Sequence, residues 1–277
     1  MNCRYLYQSH GAEIYHRMTL LSIESLRRLG VPGERIHVIT DTPDFFAPLG
    51  VEVMPVNAAT LRGWRGRFRF VHRAKLGAMI LFRETFPDDA MVYADSDTVW
   101  VNPIGDFPRP FVHVLEPEFS HKYLTQYRAL LTKGGFYPGQ ALRMYNAGLI
   151  GLPASFPLAG LKAMLKATDW LCLHTPSRMN WAEQLAVAAE LESRGTLDTR
   201  EADLIHYWTN SVDFLRLTKH LSTPEFARLT LEEVAAYRAK AKPNRKAPMK
   251  RKLARSLGKR VNDVKAAYWR FTGSHDA

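Results

Sequence analysis

Asp95 and Asp97 stand two residues apart where an apolar run, Ala90-Met91-Val92-Tyr93-Ala94, comes to an end. Carboxylates at that spacing, in the turn leaving a buried strand, can converge on a divalent cation that takes oxygen ligands. Such a cation is most useful beside a phosphate or diphosphate, whose charge it neutralises. Asp and Ser also end strands simply because they start turns, so the pair gains weight only from its context. One part of that context is Asn146, a polar residue inside the apolar stretch Met144 to Gly151. A buried amide must find a partner, a ligand group or a neighbouring loop carbonyl. Gly148, two residues on, permits close backbone approach.

The elements around these residues alternate. Strands are expected at Arg4 to Tyr7, Arg35 to Thr40, Val51 to Val56 and Ala90 to Ala94. Between them, Ala12 to Leu29 carries Ile14, Met18, Leu21, Ser25 and Leu29 near one helical face, and Gly30 stops it. Phe70 to Phe86 is a second helix, closed by Pro87. Such alternation predicts an α/β fold with a largely parallel sheet. Ligands of open α/β sheets bind beyond the carboxyl ends of the strands, where Asp95 and Asp97 would lie. Further strands are expected at 98–101, 111–115, 144–151 and 203–205, and helices near 119–131, 156–173 and 180–194.

The chain has 277 residues, 46% of them hydrophobic, enough for one large α/β domain with a tail. Its two cysteines, Cys3 and Cys172, exclude a disulfide framework and a cysteine zinc cluster. No run approaches the ~18–20 apolar residues of a membrane span, and the first residues lack the apolar core of a signal peptide. The expected location is therefore cytoplasmic. The net charge of +11 is local: residues 238–270 hold thirteen Lys or Arg against one acidic residue, so the rest is nearly neutral.

Taken in order, Arg73-Ala74-Lys75-Leu76-Gly77, Asp95-Ser96-Asp97, Asn146-Ala147-Gly148, Glu183-Gln184 and His206 resemble the motifs of family 8 glycosyltransferases and related bacterial GT-A enzymes. The resemblance spans roughly residues 1–210. It implies the GT-A fold, a mostly parallel central sheet flanked by helices, over residues 1–222. It implies a metal held by Asp95, Asp97 and His206, manganese in preference to magnesium because one ligand is an imidazole. Arg73, Lys75, Asp95, Ser96, Asn146, Ala147 and Gly148 are implied to contact a nucleoside-diphosphate sugar, with Arg73 the favoured diphosphate ligand because its fork grips oxygen pairs. Glu183, where the family usually has Asp, and Gln184 are the implied catalytic pair. Sugar transfer with retention of configuration is the implied reaction, and the glycine-flanked loop 132–140 is expected to close over the donor. Two segments differ from the family: Gln8-Ser9-His10-Gly11 replaces an acidic base-reading segment, and Tyr207-Trp208-Thr209-Asn210 follows His206.

A tail is expected from Thr223, helical over 224–241, then a basic linker with Pro243 and Pro248. Met249, Leu253, Leu257, Val261, Val264, Tyr268 and Phe271 recur at helical spacing among Lys and Arg. A basic amphipathic helix of this kind suits an anionic membrane surface. The expectation is a peripheral protein on the inner face of the membrane, with a glycan or lipid-linked acceptor and no nucleic-acid partner, working in surface-polysaccharide synthesis. Two alternatives exist. Asp95-Ser96-Asp97-Thr98-Val99 fits the local pattern of haloacid-dehalogenase-like phosphatases with Asp95 as nucleophile, although no second acidic motif follows. The chain could also be a catalytically silent GT-A binding module.

Overall fold

The computed structural model describes residues 3–116, 119, 121–137, 139, 142–243, 261 and 263–267. β1 (Cys3–Ser9) is followed by α1 (Glu13–Arg28), β2 (Ile36–Thr40), α2 (Pro43–Phe46) and β3 (Glu52–Pro55). α3 (Ala58–Arg65) and α4 (Arg73–Thr85) lead into β4 (Ala90–Ala94) and β5 (Thr98–Trp100). Next come β6 (Phe111–Leu115), α5 (His121–Lys133), β7 (Tyr145–Leu152), α6 (Leu158–His174) and α7 (Ala182–Ser193). β8 (Asp198–Thr199), β9 (Leu204–His206), α8 (Ser211–Leu217), α9 (Thr223–Ala227) and α10 (Leu231–Lys240) complete the described elements.

The main sheet has the order β3-β2-β1-β4-β7-β6-β8, and β7 runs against the other strands. It is a mostly parallel α/β sheet, compatible with a Rossmann-like arrangement. Its central strands are buried on both faces, so β4 and β7 read as continuous apolar runs. Side chains alternate between the faces. Leu6, Met91, Tyr93 and Ile150 meet Met79, Phe82, Leu171 and Leu185 of α4, α6 and α7. Tyr5, Tyr7, Val92, Ala94 and Leu149 meet Ile23 and Leu26 of α1 on the opposite face.

β5 leaves this sheet to pair antiparallel with β9, setting Thr98 opposite His206. A buried hydroxyl chain ties the start of β5 to α1. Tyr7 Oη lies 2.9 Å from Ser22 Oγ, Ser22 Oγ 2.8 Å from Thr98 Oγ1, and Thr98 Oγ1 donates to the Asp95 carbonyl at 2.8 Å. The Asp95–Thr98 turn is thus anchored from below before any ligand is considered.

Four differences from the sequence reading have physical causes. α4 begins at Arg73 rather than Phe70, because residues 70–72 fold as turns and leave Val71 exposed. α3, capped by the Asn57 side chain on the Thr60 amide at 2.9 Å, was not expected. Its segment is basic and contains Gly63, which blurs any helical period. The expected boundary at 222 falls inside packed structure: Phe226 and Val234 are fully buried against Met18, Leu21 and Phe214. The single helix expected at 224–241 is two, each opened by its own capping box, Ser222 with Glu225 and Thr230 with Glu233.

Most of the basic helix expected over 249–271 lies outside the described residues. Residues 261 and 263–267 are helical. Ala266 is buried, whereas Val261 and Val264 are 51% and 70% exposed. Among the described residues no helix is long and apolar enough to cross a membrane.

Candidate functional site

The carboxyl ends of β1 and β4, the start of β7 and the end of β9 converge on one cavity of about 1080 Å³. Asp95 follows the last residue of β4, and its amide donates to the Gly148 carbonyl of β7 at 2.8 Å. The Tyr207 amide donates to the Asp97 carbonyl at 3.1 Å, which brings the end of β9 onto the same turn. Asp95, Asp97 and His206 each offer a ligand atom, and these atoms lie within 4.8 Å of one another.

The imidazole of His206 is oriented by Asn146. The Gly148 amide donates to Asn146 Oδ1 at 2.9 Å, and Asn146 Nδ2 donates to Glu116 Oε1 at 3.1 Å, so two independent partners fix the amide's orientation. Asn146 Oδ1 can therefore only accept from His206 Nδ1, 3.1 Å away. A neutral ring then carries its proton on Nδ1 and turns the Nε2 lone pair toward Asp97 Oδ1 at 3.2 Å. Two acceptors face each other there, a contact that is favourable only with a proton or a cation between them. A metal-ligating histidine normally donates its other ring N–H to a fixed acceptor, as His206 does to Asn146, so these residues fit a divalent ion chemically. His113 packs edge-on against His206, with ring centroids 5.5 Å apart. Burial, then the nearby His206, pushes His113 down to about 4, so it stays neutral beneath the site.

The Asn146-Ala147-Gly148 segment has three distinct tasks. Asn146 sets the tautomer of His206, which differs from the sugar or loop-carbonyl contact expected for it. The Ala147 carbonyl accepts from Lys75 Nζ at 2.8 Å. Gly148 leaves room for the imidazole: a Cβ there would stand 2.3 Å from His206 Cε1.

Lys75 is buried and lies 3.2 Å from Asp95 Oδ1 and 3.4 Å from Glu183 Oε1. Burial opposes its charge, but Asp95 and then Glu183 outweigh burial and raise its pKa. Burial likewise opposes the charge of Asp95; Lys75, His206 and His72 outweigh it and hold the carboxyl below its ordinary range. Glu183 answers differently because it shares its one cation with Asp95. Burial raises it to about 7, Lys75 opposes that rise, and Asp95 adds to it. Tyr93 Oη donates to Asp95 Oδ1 at 3.1 Å, and burial followed by Asp95 keeps that phenol protonated.

Glu183 and Gln184 open α7 and line the cavity beside Ser96. Gln184 Oε1 is buried without a hydrogen-bond partner among the described residues. Arg73 is placed elsewhere. It binds Asp169 through Nε at 2.6 Å and Nη2 at 2.8 Å, and its Nη1 donates to the carbonyls of Gly63 and Trp64. It pins α3 and α4 to α6 and does not line the cavity. The expected diphosphate contact at Arg73 is therefore corrected, and Lys75 is the cation that faces the site. Residues 138 and 140 of the loop 132–140 lie outside the described residues, and its described residues do not line the cavity. Thr132 bonds the Tyr137 carbonyl, and Tyr137 reaches Glu192 on α7.

Several cavity residues escaped the sequence reading. Gln8 near the end of β1 and His10 just after it line the cavity, and Arg65 reaches His10 Nδ1 at 3.2 Å. Burial, followed by the Arg65 charge, lowers His10, so this end presents a neutral imidazole. The rule that ligands gather at strand ends could have singled out Gln8 and His10. Glu116 and His72 carried no local signal. Comparison with known protein families finds no matching family, and comparison with characterised proteins finds no significant match, so the site has to be read from its own chemistry.

Proposed function

We propose that this chain is a metal-dependent glycosyltransferase of GT-A architecture that uses a nucleoside-diphosphate sugar. The observation that carries the reading is the Asp95, Asp97 and His206 set, with its Asn146-fixed tautomer, beside Lys75 at the strand ends of a large cavity. A bound manganese or magnesium ion would neutralise charge on the departing diphosphate. Asp95 and Asp97 supply its negative ligands and His206 its nitrogen. Lys75 stays charged, holds Asp95 in place, and faces the cavity where phosphate oxygens would lie. Glu183 and Gln184, which line the same cavity, offer a carboxyl and an amide oxygen without a partner among the described residues to the hydroxyls of the donor sugar. Gln8, His10 and Arg65 line the end left for the nucleoside.

Acidic residues lining the cavity are Asp95, Asp97, Glu116 and Glu183, and the last two are engaged by Asn146 and Lys75. Among the described residues that leaves no spare acidic pair for the phosphatase alternative. The intact ligand set argues against a silent module. The test is a panel of nucleotide sugars with manganese or magnesium, read by thermal shift and nucleoside diphosphate release. A bound donor at a hundred times its Kd adds about 2.7 kcal/mol of stability, a clear upward shift. No metal-dependent response to any donor would overturn the reading.

The site of action we propose is an anionic membrane surface, in surface-polysaccharide synthesis. Support comes from the basic run over residues 249–271 and the exposed Val261 and Val264 of its apolar stripe. Each basic side chain near such a surface contributes ~1 kcal/mol. Replacing Lys250, Arg251, Lys252 and Arg255 by Gln should then weaken binding to anionic vesicles about a thousandfold in flotation. Unchanged binding would show that the segment does not meet the membrane.

A further inference from the structure

We infer that the outer end of the cavity is a subsite for the hydrocarbon chain of an anionic, lipid-linked acceptor. The inference rests on the glycosyltransferase reading for what happens to that acceptor, but not for whether it binds. Exposed large apolar side chains are ordinary when scattered. Among the described residues nine are exposed, and five of them, Ile14, Tyr15, Val71, Trp208 and Val212, line this one cavity. Three elements bring them together: the first turn of α1, the turn before α4, and the segment from the end of β9 into α8. Val71, Trp208 and Val212 are 54%, 51% and 68% exposed.

The types present choose among ligands. Ile14, Val71 and Val212 offer no hydrogen bond, so they contribute nothing specific to a sugar and favour hydrocarbon. Trp208 and Tyr15 suit the border between an apolar chain and a polar head. Lys219 and Arg216 line the same rim. Arg216 is shared with Asp213 at 2.8 Å, which leaves Lys219 as the principal cation for an anionic linkage. The polar inner end already provides for a donor. At about 1080 Å³ the cavity stands at the upper end of the ~300–1,000 Å³ range of small-molecule sites. Acceptor and donor would then meet between Trp208 and the Asp95–Asp97 turn.

The test is calorimetric titration of the full chain, without donor, using n-octyl, n-decyl and n-dodecyl phosphate below their critical micelle concentrations. Saturable binding should tighten about tenfold for each two methylenes added. The double variant Val71→Asp, Val212→Asp should lose at least tenfold in dodecyl phosphate affinity and lose the chain-length trend. Its manganese affinity should stay at the wild-type value, which reports an intact fold. Chain-length-independent binding, or a trend that survives in the double variant, would overturn the subsite. Binding to anionic vesicles without binding to the monomeric phosphates would overturn it too, and would make the rim a bilayer contact. Because no donor is present, retained amphiphile binding alongside a silent nucleotide-sugar panel would sink the transferase reading alone.

Discussion

Asp97→Asn is expected to abolish manganese binding while leaving the metal-free protein as stable as the wild type, or slightly more stable. The two effects have one cause. When His206 is neutral, its Nε2 lone pair faces the Asp97 carboxylate across 3.2 Å, and nothing but a proton or a cation makes that contact favourable, so the stability comparison belongs at alkaline pH. The substitution replaces an acceptor by an NH2 donor of the same size. That donor can bond directly to Nε2, closing the gap that the metal would otherwise occupy. The backbone of residue 97 keeps its bond from the Tyr207 amide, so the β5–β9 pairing survives. Losing a charged ligand should cost more than the 10–100-fold that outer-shell partners cost. Asn146→Leu supplies that outer-shell comparison: it removes the acceptor that fixes His206, and manganese affinity should fall 10–100-fold. It also strands the Gly148 amide and the Glu116 carboxylate, costing about 1–3 kcal/mol for each unpaired group. Manganese titration followed by electron paramagnetic resonance measures both affinities, and thermal melts without metal measure stability. Binding by Asp97→Asn within tenfold of wild type would show that these three side chains do not form the metal site.

The Asp95–Asp97 turn was legible because β4 is an apolar run buried on both faces, and such a run has to end in a polar turn at the ligand-binding edge. The architecture was legible for the same reason: strand and helix periods alternate cleanly through residue 100. Arg73 and Lys75 show where this stops. Two residues apart on a helix, they point about 200° away from each other, so one can face the cavity and the other cannot. The choice is made by Asp169, 96 positions along the chain on α6. Asn146 announced that it needed partners but not which ones, because Glu116 and His206 arrive from separate strands. The end of the packed body was misplaced for a local reason. Ser222 and Thr230, each with Glu three residues later, marked two helix starts that a single apolar period across 224–241 concealed.

Lys75 is the position where that distant information has its largest energetic consequence. Lys75→Met is expected to cost about 3–5 kcal/mol at pH 8, the usual penalty for removing one partner from a buried ionic cluster, and clearly less at pH 5.5. The pH dependence comes from Glu183. Its folded-state value of about 7 lies above its ordinary 4.5, so its favourable contribution is complete below 4.5 and is lost as pH rises through 7. At ~1.4 kcal/mol per pKa unit, the wild type loses about 3 kcal/mol from this group across that window. Lys75 opposes the rise, so removing it pushes the Glu183 carboxyl higher and enlarges the loss at pH 8. Asp95 has the opposite sign: it is held below its ordinary 3.8, so its contribution is present above that value and disappears only in stronger acid. In the wild type it is therefore equally charged at pH 5.5 and 8, whereas in Lys75→Met it loses the same cation, and the resulting rise of its buried carboxyl adds to the loss at pH 8. Urea unfolding at both pH values gives the differences. The double variant Lys75→Met, Glu183→Gln keeps the test readable if the single variant unfolds. It no longer buries an unpaired Glu183 carboxylate, so it should be more stable than Lys75→Met at pH 8 and should lose the part of the extra pH dependence that Glu183 carries. A Lys75→Met protein within 1 kcal/mol of wild type at pH 8 would mean that water, rather than Lys75, solvates the carboxylates of this site.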